Sequence, residues 1–320
     1  MTNFIEGKRV AITGGGGSIG SELARRLIER DAQALLLIDN SEVALWRQMM
    51  KFEALPVQCR LGDVRDSKRM HWLIEGFKPH VVFHTAALKH VPICERDHDE
   101  ADRTNRRGTV FVASAAECAK AEVFVLVSTD KATDPVCVLG RTKAAAEEII
   151  SDFNSNSDHC RFISVRFHNV FGSSGSVCRR FAEQIATGGP VTVTHPDMMR
   201  WFATPKEACD LLIACAEHAC GSSGRDLYAL NIGKPMNIFD LAKSMIGDRS
   251  VEIRIVGLRP GERLEEKLVG EREMAVDVGI DGIIGIERIS DEASRPAGSL
   301  ASGEEGPAEG QAPESEVACA

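Results

Sequence analysis

Short apolar runs alternate with helix-like patterns through the first half of the chain. Apolar residues at a spacing of three and four predict helices over Ser21–Glu29 and from Glu42. Short β runs predict strands at Arg9–Thr13, Ala34–Ile38, Val57–Leu61, His80–His84 and Val123–Ser128, of which Ala34–Ile38 is fully apolar. Alternating β and α units are typical of a parallel, doubly wound sheet. The pattern therefore predicts an α/β fold built on a Rossmann sheet.

The pattern changes from Arg161 onward. After a strand at Phe162–Arg166, segments with glycine and proline separate the remaining elements. These are helices at Lys206–His218 and Ile238–Met245 and strands at Leu227–Ile232 and Val251–Val256. We therefore predict a cofactor-binding Rossmann domain over 1–165 and a smaller C-terminal substrate-binding region over 166–287. From about Asp291 the chain is rich in Ala, Gly, Ser, Pro and Glu, which predicts a disordered tail over 288–320.

Composition and charge restrict the class of protein. The 320 residues are 43% hydrophobic and 27% charged, which is ordinary for a soluble globular protein. No run of about 18 apolar residues predicts a membrane span, and no apolar leader precedes the first strand. The net charge of −9 argues against a nucleic-acid partner. A cytoplasmic protein without membrane or nucleic-acid contacts is expected.

The cysteines do not have the spacing of a metal site. The chain holds 10 cysteines, and none forms a C-x-x-C pair. Paired spacing is what structural zinc sites require, so no metal is expected. Reduced, buried thiols are the simplest interpretation.

A glycine-rich loop follows the first predicted strand and opens the first helix. Its sequence from Thr13 to Gly20 fits T-G-x-x-G-x-x-G, in which glycines let a pyrophosphate approach the backbone. An acid at Asp39 ends the second strand, where it accepts ribose hydroxyls and repels a 2′-phosphate. This favours NAD over NADP. The candidate cofactor-binding residues are Thr13, Gly14, Gly17, Ser18, Ile19, Gly20, Asp39, Asp63, Val64, Ala86, Ala87 and Lys143.

Several longer motifs carry a family resemblance over about residues 8–270. They are His84–Pro92, Ser128–Ala132 with Pro135, Arg166–Val170, Gly172–Val177, Thr194–Arg200 and Gly257–Glu262. Together they resemble the extended short-chain dehydrogenase/reductases, and more closely the bacterial UDP-N-acetylglucosamine 4,6-dehydratases of polysaccharide biosynthesis. The resemblance implies a nucleotide-sugar substrate, a recycled NAD and a homo-oligomer.

The resemblance also implies catalytic roles. NAD would oxidise carbon 4 of the hexose, Lys131 would remove the proton of carbon 5, and Asp130 would protonate the departing hydroxyl of carbon 6. The hydride would then return to carbon 6. Thr129 and Lys143 complete the candidate catalytic set. These roles require a lowered pKa for Lys131, which burial and the nearby Lys143 would supply, and a raised pKa for Asp130. Since adjacent opposite charges act the other way, we expect the fold to hold the pair apart.

The same motifs also imply which residues bind the nucleotide-sugar substrate. Arginine suits a diphosphate because its planar fork forms paired hydrogen bonds, and Glu262 would accept from ribose hydroxyls. The candidate substrate-binding residues are Lys89, His90, Asn169, Thr194, Arg200, Arg259 and Glu262.

The chain departs from the family pattern at four positions. Leu139 lies four residues before Lys143, where some members of the family carry the tyrosine that acts as base on the carbon-4 hydroxyl and others carry methionine, so the family tolerates an apolar residue there. Thr129, Asp130 or a water molecule would then have to serve. His168, Ser174 and Met199 replace a usual Gly, Arg and Thr, which indicates an altered substrate, an altered outcome of the reaction or neutral drift. An epimerase or ketoreductase on the same scaffold, or a catalytically silent NAD-binding protein, stays open.

Overall fold

A nine-stranded sheet runs through the computed structural model of the chain, which describes residues 3–173, 175–221 and 224–289. The strands of this sheet and of two smaller sheets are, in chain order, β1 Arg9–Thr13, β2 Ala34–Asp39, β3 Val57–Leu61, β4 Val81–His84, β5 Val123–Val127, β6 Arg161–Arg166, β7 Asn169–Val170, β8 Val191–Val193, β9 Met199–Ala203, β10 Leu227–Leu230, β11 Lys234–Asn237, β12 Ile253–Ile255, β13 Glu273–Asp277 and β14 Ile283–Arg288.

Helices cover the sheet and fill the second half. They are α1 Ser18–Ile28, α2 Glu42–Lys51, α3 Ser67–Phe77, α4 Val91–Cys94, α5 His98–Asp102, α6 Gly108–Cys118, α7 Val138–Asn156, α8 Val177–Ala186, α9 Pro205–Ala219 and α10 Ile238–Ile246. None of the helices that the structure describes is both long enough and apolar enough to cross a membrane.

The order of the large sheet is β13-β14-β10-β6-β5-β4-β1-β2-β3. The strands from β10 to β3 run parallel, and β14 and β13 add an antiparallel hairpin at the edge. The order 3-2-1-4-5-6 within it is that of a doubly wound dinucleotide-binding sheet, as predicted. The order in which successive strands are added to the sheet reverses between β1 and β4, which is where such sheets bind ligands.

Successive residues of each strand point to opposite faces, so each strand contributes to two cores. In β1, Val10 and Ile12 pack towards α1 and α9, whereas Ala11 packs towards α3 and α6. The two helix layers therefore bury both faces of the central strands β1, β2, β4 and β5, which explains why those strands are mostly apolar, whereas the edge strand β3 is largely exposed.

The second half builds two small sheets beside the large one. Their strand orders are β11-β9-β7 and β12-β8. Helices α8 and α10 pack against these strands around a core that includes Phe181, Val191 and Ile238. The second half also contributes β10, β13 and β14 to the large sheet, so this sheet is not confined to residues 1–165. The division at 165/166 stays a prediction.

Several predicted boundaries need correction. Helix α1 begins at Ser18 instead of Ser21, because the glycine turn enters the helix directly. The strand predicted over Leu227–Ile232 ends at Leu230, and the one predicted over Val251–Val256 spans Ile253–Ile255. Almost all of the predicted tail, from residue 290, lies outside the described residues, as does Ser174.

Candidate active site

A cleft of about 730 Å³ opens at the carboxyl ends of β1, β4, β5 and β6. The register explains its position, because Thr13 pairs with His84, and His84 pairs with Leu126. The strand ends therefore lie side by side, and the residues that follow them meet at one edge. The sequence-predicted residues that line the cleft are Gly14, Gly17, Ser18, Ile19, Gly20, Asp39, Asp63, Val64, Ala86, Ala87, Lys89, His90, Thr129, Lys131, Lys143, Asn169, Thr194, Arg200, Arg259 and Glu262.

The glycine turn has no room for side chains. Gly14 has a φ of +68°, and a Cβ there would lie 2.7 Å from the backbone nitrogen of Ala86. A Cβ on Gly20 would lie 2.2 Å from the carbonyl oxygen of Gly14. Gly17 precedes α1 and supplies no side-chain cap to the helix. The turn fits the pyrophosphate of a dinucleotide.

Two acids lie further along the same side of the cleft. Asp39 accepts hydrogen bonds from the backbone nitrogens of Gly16 (3.0 Å) and Ser41 (2.9 Å), which hold its carboxylate at the end of β2. Asp63 pairs with Arg65, whose hydrogen bond lowers the pKa of Asp63 to about 2. A charged acid at the end of β2 suits ribose hydroxyls and disfavours a 2′-phosphate.

Thr13 does not line the cleft. Its side chain is fully buried, and its Oγ1 lies 2.6 Å from Nδ1 of His84. The other ring nitrogen of His84 lies 3.1 Å from Oγ1 of Thr109. Burial lowers the pKa of His84 to about 3, so this histidine is neutral. Thr13 therefore acts by fixing a buried histidine under the glycine turn, since it is too deep to contact a ligand by its side chain.

Lys143 lies on α7 at the floor of the cleft. Its Nζ donates to the carbonyl oxygen of Val127 at 2.8 Å, and burial lowers its pKa to about 8. Leu139 lies one turn earlier, lines the cleft and is only 4% exposed. Tyr228 is in β10, where its hydroxyl accepts from the backbone nitrogen of Arg225 and contacts His218. The chain's single tyrosine therefore cannot replace the missing phenol.

Asp130 and Lys131 form a 3₁₀ turn directly after β5, and they are not held apart. Lys131 Nζ lies 2.9 Å from Oδ1 of Asp130, so that expectation is wrong. Burial alone would raise the pKa of Asp130, but Lys131 and His168 outweigh it and the pKa is lowered. Burial would likewise lower the pKa of Lys131, but Asp130 and Glu266 raise it. The pair therefore rests as carboxylate and ammonium, the opposite of the states expected above.

Two further side chains join this pair. Oε1 of the buried Glu266 lies 3.5 Å from Lys131 Nζ, and Nδ1 of His168 lies 3.0 Å from Oδ2 of Asp130. Asp130 itself is 1% exposed and does not line the cleft, whereas Lys131 and His168 do. Asp130 thus holds the two groups that a ligand would meet.

The predicted substrate-binding residues lie on the other wall. The guanidinium of Arg200 donates to the carbonyl oxygens of Met199, Leu264 and Arg263 at 2.7–2.9 Å. Glu262 accepts from the backbone nitrogen of Arg259 at 3.1 Å. Arg200 therefore ties β9 to the segment that carries Arg259 and Glu262, in addition to lining the cleft.

The loop after β4 reaches the loop after β7. Lys89 Nζ lies 3.4 Å from the Ser173 hydroxyl, and a Cβ on Gly175 would lie 2.1 Å from the ring of His90. Burial lowers the pKa values of both Lys89 and His90. The two loops together form one end of the cleft.

Sequence reasoning missed several residues of the site. Arg65 and Asn40 line the cofactor side, and Arg180 lines the opposite wall. Glu266 follows the G-L-R-P-G-E motif by four residues, so the motif was a signal that could have found it. His168 was noted only as a departure, although it is a titratable residue directly after a buried strand.

Comparison with known proteins agrees with this geometry. Residues 10–288 match the model of the polysaccharide biosynthesis protein family. The chain is 40% identical over 284 residues to the probable polysaccharide biosynthesis protein EpsC of Bacillus subtilis, a match that covers 86% of this chain and 47% of EpsC. It is 33% identical to a UDP-glucose 4-epimerase of Rickettsia massiliae, covering 84% of this chain and 79% of the epimerase.

A solved structure shares the fold closely. The X-ray structure of Pen from Bacillus thuringiensis superposes with a TM-score of 0.82 at 30% identity, over 91% of each chain. The chain spans about half the length of EpsC, so the activity of that whole protein does not transfer directly. The match over 10–288 nevertheless decides the family. The chain belongs to the polysaccharide biosynthesis protein family.

Proposed function

We propose that the chain dehydrates a nucleotide-activated hexose, UDP-N-acetylglucosamine, to a 4-keto-6-deoxy sugar with recycled NAD. The observation that carries this proposal is that one cleft is lined both by the glycine turn with Asp39 and by Lys131 with Arg259 and Glu262. A dinucleotide on the first wall and a nucleotide sugar on the second would meet at the end of β5.

NAD, when bound, would accept a hydride from carbon 4 and return it to carbon 6. Gly14, Gly17, Gly20 and Asp39 would hold it, with Lys143 beside the nicotinamide ribose. The charged acid at Asp39 supports NAD over NADP.

The chain's own residues would supply the proton transfers. Lys131 lines the cleft with its ammonium held between Asp130 and Glu266. Elimination of water next to a ketone needs one group that accepts the carbon-5 proton and one that donates to the leaving hydroxyl. The family resemblance assigns this work to the Asp130–Lys131 pair with Thr129 beside it, and the oxygen of carbon 4 would release its proton to Thr129 or to a water molecule.

The nucleotide would bind on the far wall. Arg259 and Arg200 would face the diphosphate, since guanidinium groups form paired, charge-assisted hydrogen bonds to phosphate oxygens. Glu262 and Asn169 would contact the nucleoside, and Thr194, Lys89 and His90 the sugar end. A cytoplasmic homo-oligomer belongs to the same proposal.

Incubation with UDP-N-acetylglucosamine in deuterated water, followed by NMR, tests the proposal. A 4-keto-6-deoxy sugar with deuterium at carbon 5, formed with catalytic amounts of NAD, is expected. The retained or inverted configuration at carbon 5 can be read from the same spectrum. Recovery of unchanged substrate at every nucleotide sugar tried would remove the proposal.

A 4-epimerase is the second candidate, because the Rickettsia massiliae relative is described as a UDP-glucose 4-epimerase. Leu139 argues against it, since reduction of the 4-ketone by the usual route uses the tyrosine that this position lacks. In the same experiment an epimerase would produce the 4-epimer without deuterium at carbon 5. A catalytically silent protein would bind the dinucleotide and form neither product.

A further inference from the structure

His168 is held in the cleft by two contacts from two elements. It lies just beyond β6, and its Nδ1 is 3.0 Å from Oδ2 of Asp130. Its ring stacks on Trp201 of β9, with ring centroids 5.7 Å apart and planes inclined by 18°. Its side chain is 6% exposed and still lines the cleft. The imidazole therefore has a fixed orientation at the surface that a ligand would contact.

The partner at Nδ1 decides which nitrogen can react. Asp130 is ionised, because Lys131 donates to its other oxygen at 2.9 Å. A carboxylate only accepts hydrogen bonds, so Nδ1 of His168 carries a proton. In the neutral ring the lone pair is then on Nε2, the state in which an imidazole accepts a proton.

One carboxylate thus holds a proton acceptor at one oxygen and a proton donor at the other. Oδ2 of Asp130 holds His168, and Oδ1 holds the Lys131 ammonium. Elimination across two neighbouring carbons requires an acceptor and a donor side by side. Asp130 itself is buried behind both groups and is not in the wall of the cleft.

We propose that His168 is the general base of the elimination, with Lys131 as its acid and Asp130 as the residue that positions both. The inference rests on the proposed dehydratase function and assigns proton transfers within it differently from the family resemblance. The carbon-5–hydrogen bond breaks, and its proton goes to Nε2 of His168. The electron pair forms the carbon-5–carbon-6 double bond, the carbon-6–oxygen bond breaks, and the oxygen takes a proton from Lys131 and leaves as water.

The charges of Asp130, Lys131 and His168, which form one hydrogen-bonded network, suit a proton transfer to His168 and from Lys131. As His168 gains a positive charge, Lys131 loses one, so the total charge beside Asp130 is unchanged during the step. Glu266, 3.5 Å from Lys131, and Arg200 of β9 are the other charged groups that act on the network. Lys131 is held as an ammonium beside Asp130 and Glu266, which is the state that a proton donor needs.

His168→Gln tests the assignment, because glutamine can keep a hydrogen bond to Asp130 but cannot accept the proton. Reduction of the bound nicotinamide, read by absorbance, and formation of the 4-keto-6-deoxy product, read by NMR, are measured separately on UDP-N-acetylglucosamine. We expect product formation to fall about 100- to 10,000-fold while nicotinamide reduction persists. His159→Gln, at an exposed histidine far from the cleft, is the matched control and should change neither.

Two further readouts separate a base from a structural role. A general base must be unprotonated to act, which gives the pH–rate profile a rising limb, and this limb should be absent in His168→Gln. In His168→Gly, added imidazole should restore product formation. NMR of the intact protein without substrate should show His168 protonated at Nδ1, and this preference should be lost in Asp130→Asn.

The outcomes distinguish this inference from the function on which it rests. If the wild type turns over and His168→Gln does so equally well, the inference is wrong and the dehydratase stands. If His168→Gln loses nicotinamide reduction as well, His168 acts at the carbon-4 hydroxyl, and the assignment to carbon 5 is overturned. If the wild type acts on no nucleotide sugar, the function fails and the inference fails with it.

Discussion

Leu139 shows how one side chain changes the chemistry available to this scaffold. It lies in the first turn of α7, packs with Cys94 and Val138, and lines the cleft one turn before Lys143. An apolar side chain cannot carry a proton, so Lys143 has no phenol to activate. Three titratable side chains in mutual contact, Asp130, Lys131 and His168, lie instead at the ends of β5 and β6.

Leu139→Met should leave turnover nearly unchanged, because the substitution roughly conserves volume and costs below about 1.5 kcal/mol. Leu139→Tyr should change the rate by well under the about 100-fold that a general base contributes, since proton transfer is already provided elsewhere. Both rates are measured on UDP-N-acetylglucosamine. A wild type that is inert, together with a Leu139→Tyr variant that turns over, would show instead that the chain is a silenced enzyme.

Lys143 should make the stability of the protein depend on pH. Burial lowers its pKa from 10.5 to about 8, so between these values the unfolded state binds the proton and the folded state does not. The free energy of unfolding should therefore rise with pH through this window, by at most roughly 3 kcal/mol. Urea unfolding near pH 8 and near pH 10 measures the rise.

Lys143→Met is the matched variant for that measurement, because it removes the titrating group and fills similar space. Its free energy of unfolding should rise less than that of the wild type over the same window. An identical rise in both proteins would show that Lys143 does not titrate below its ordinary pKa.

At the scale of single elements, two glycines in helices have opposite surroundings. A Cβ on Gly20 of α1 would lie 2.2 Å from the carbonyl oxygen of Gly14, whereas a Cβ on Gly76 of α3 would meet nothing within 4 Å. Gly76→Ala should stabilise the protein by about 0.5–1 kcal/mol, the usual helix preference for alanine. Gly20→Ala should displace the glycine turn and weaken NAD binding, as measured by calorimetric titration. Equal NAD affinity in the two variants would contradict the close approach described here.

A buried ion-pair network joins β6, α7 and β13. Arg166 donates to Glu147 at 2.7 Å and to Glu273 at 2.6 Å, and Glu147 also accepts from the Ser128 hydroxyl at the end of β5. Arg166→Met would leave two carboxylates without their cation. The expected loss is about 3–5 kcal/mol in free energy of unfolding, measured by urea titration.

Arg225→Met is the control for that substitution. It removes an arginine of the same sheet edge whose partner, Glu287, is 40% exposed, so the expected loss is within about 1 kcal/mol. Similar losses in both variants would mean that the Arg166 network is not what stabilises this edge.

The elements that could be predicted from sequence are those with strong local signals. Strands β1, β2 and β3 end within a residue of the prediction. β1 and β2 are buried on both faces and are therefore nearly continuous apolar runs, whereas the edge strand β3 carries Gln58 and Arg60. The glycine turn was found for a related reason, since its backbone conformation and close contacts demand glycine. Short strands such as β7, β8 and β11 carry no such pattern and depend on tertiary pairing.

In the candidate site, the residues that belong to motifs could also be predicted, whereas the contacts between them could not. Lys131, Arg259 and Glu262 could be predicted because they belong to motifs, and the structure brings them into one cleft. The ion pair between Asp130 and Lys131 could not, because its geometry depends on where the 3₁₀ turn places Nζ. Neither could the contact of His168 with Asp130, which joins positions 38 residues apart.

At the scale of the whole molecule, the parallel sheet ends in an antiparallel hairpin. Strand β14 pairs with β10, and β13 pairs with β14 and carries Glu273 to Arg166. This hairpin covers the edge of β10, and an uncovered edge strand invites aggregation. The large sheet is therefore complete only when the chain extends as far as β14.

Removal of residues 291–320 should leave the fold and the NAD affinity unchanged, because the described sheet is complete at Arg288 and the composition beyond Asp291 predicts disorder. Removal from Arg272 should instead give an insoluble protein, because it deletes β13 and β14, exposes β10 and leaves Arg166 without Glu273. Thermal unfolding and calorimetric NAD titration compare the two truncations, and sedimentation reports whether the predicted homo-oligomer forms in each. Loss of oligomer or of activity in the shorter deletion alone would show that the tail docks on the sheet or between subunits, which its composition does not predict.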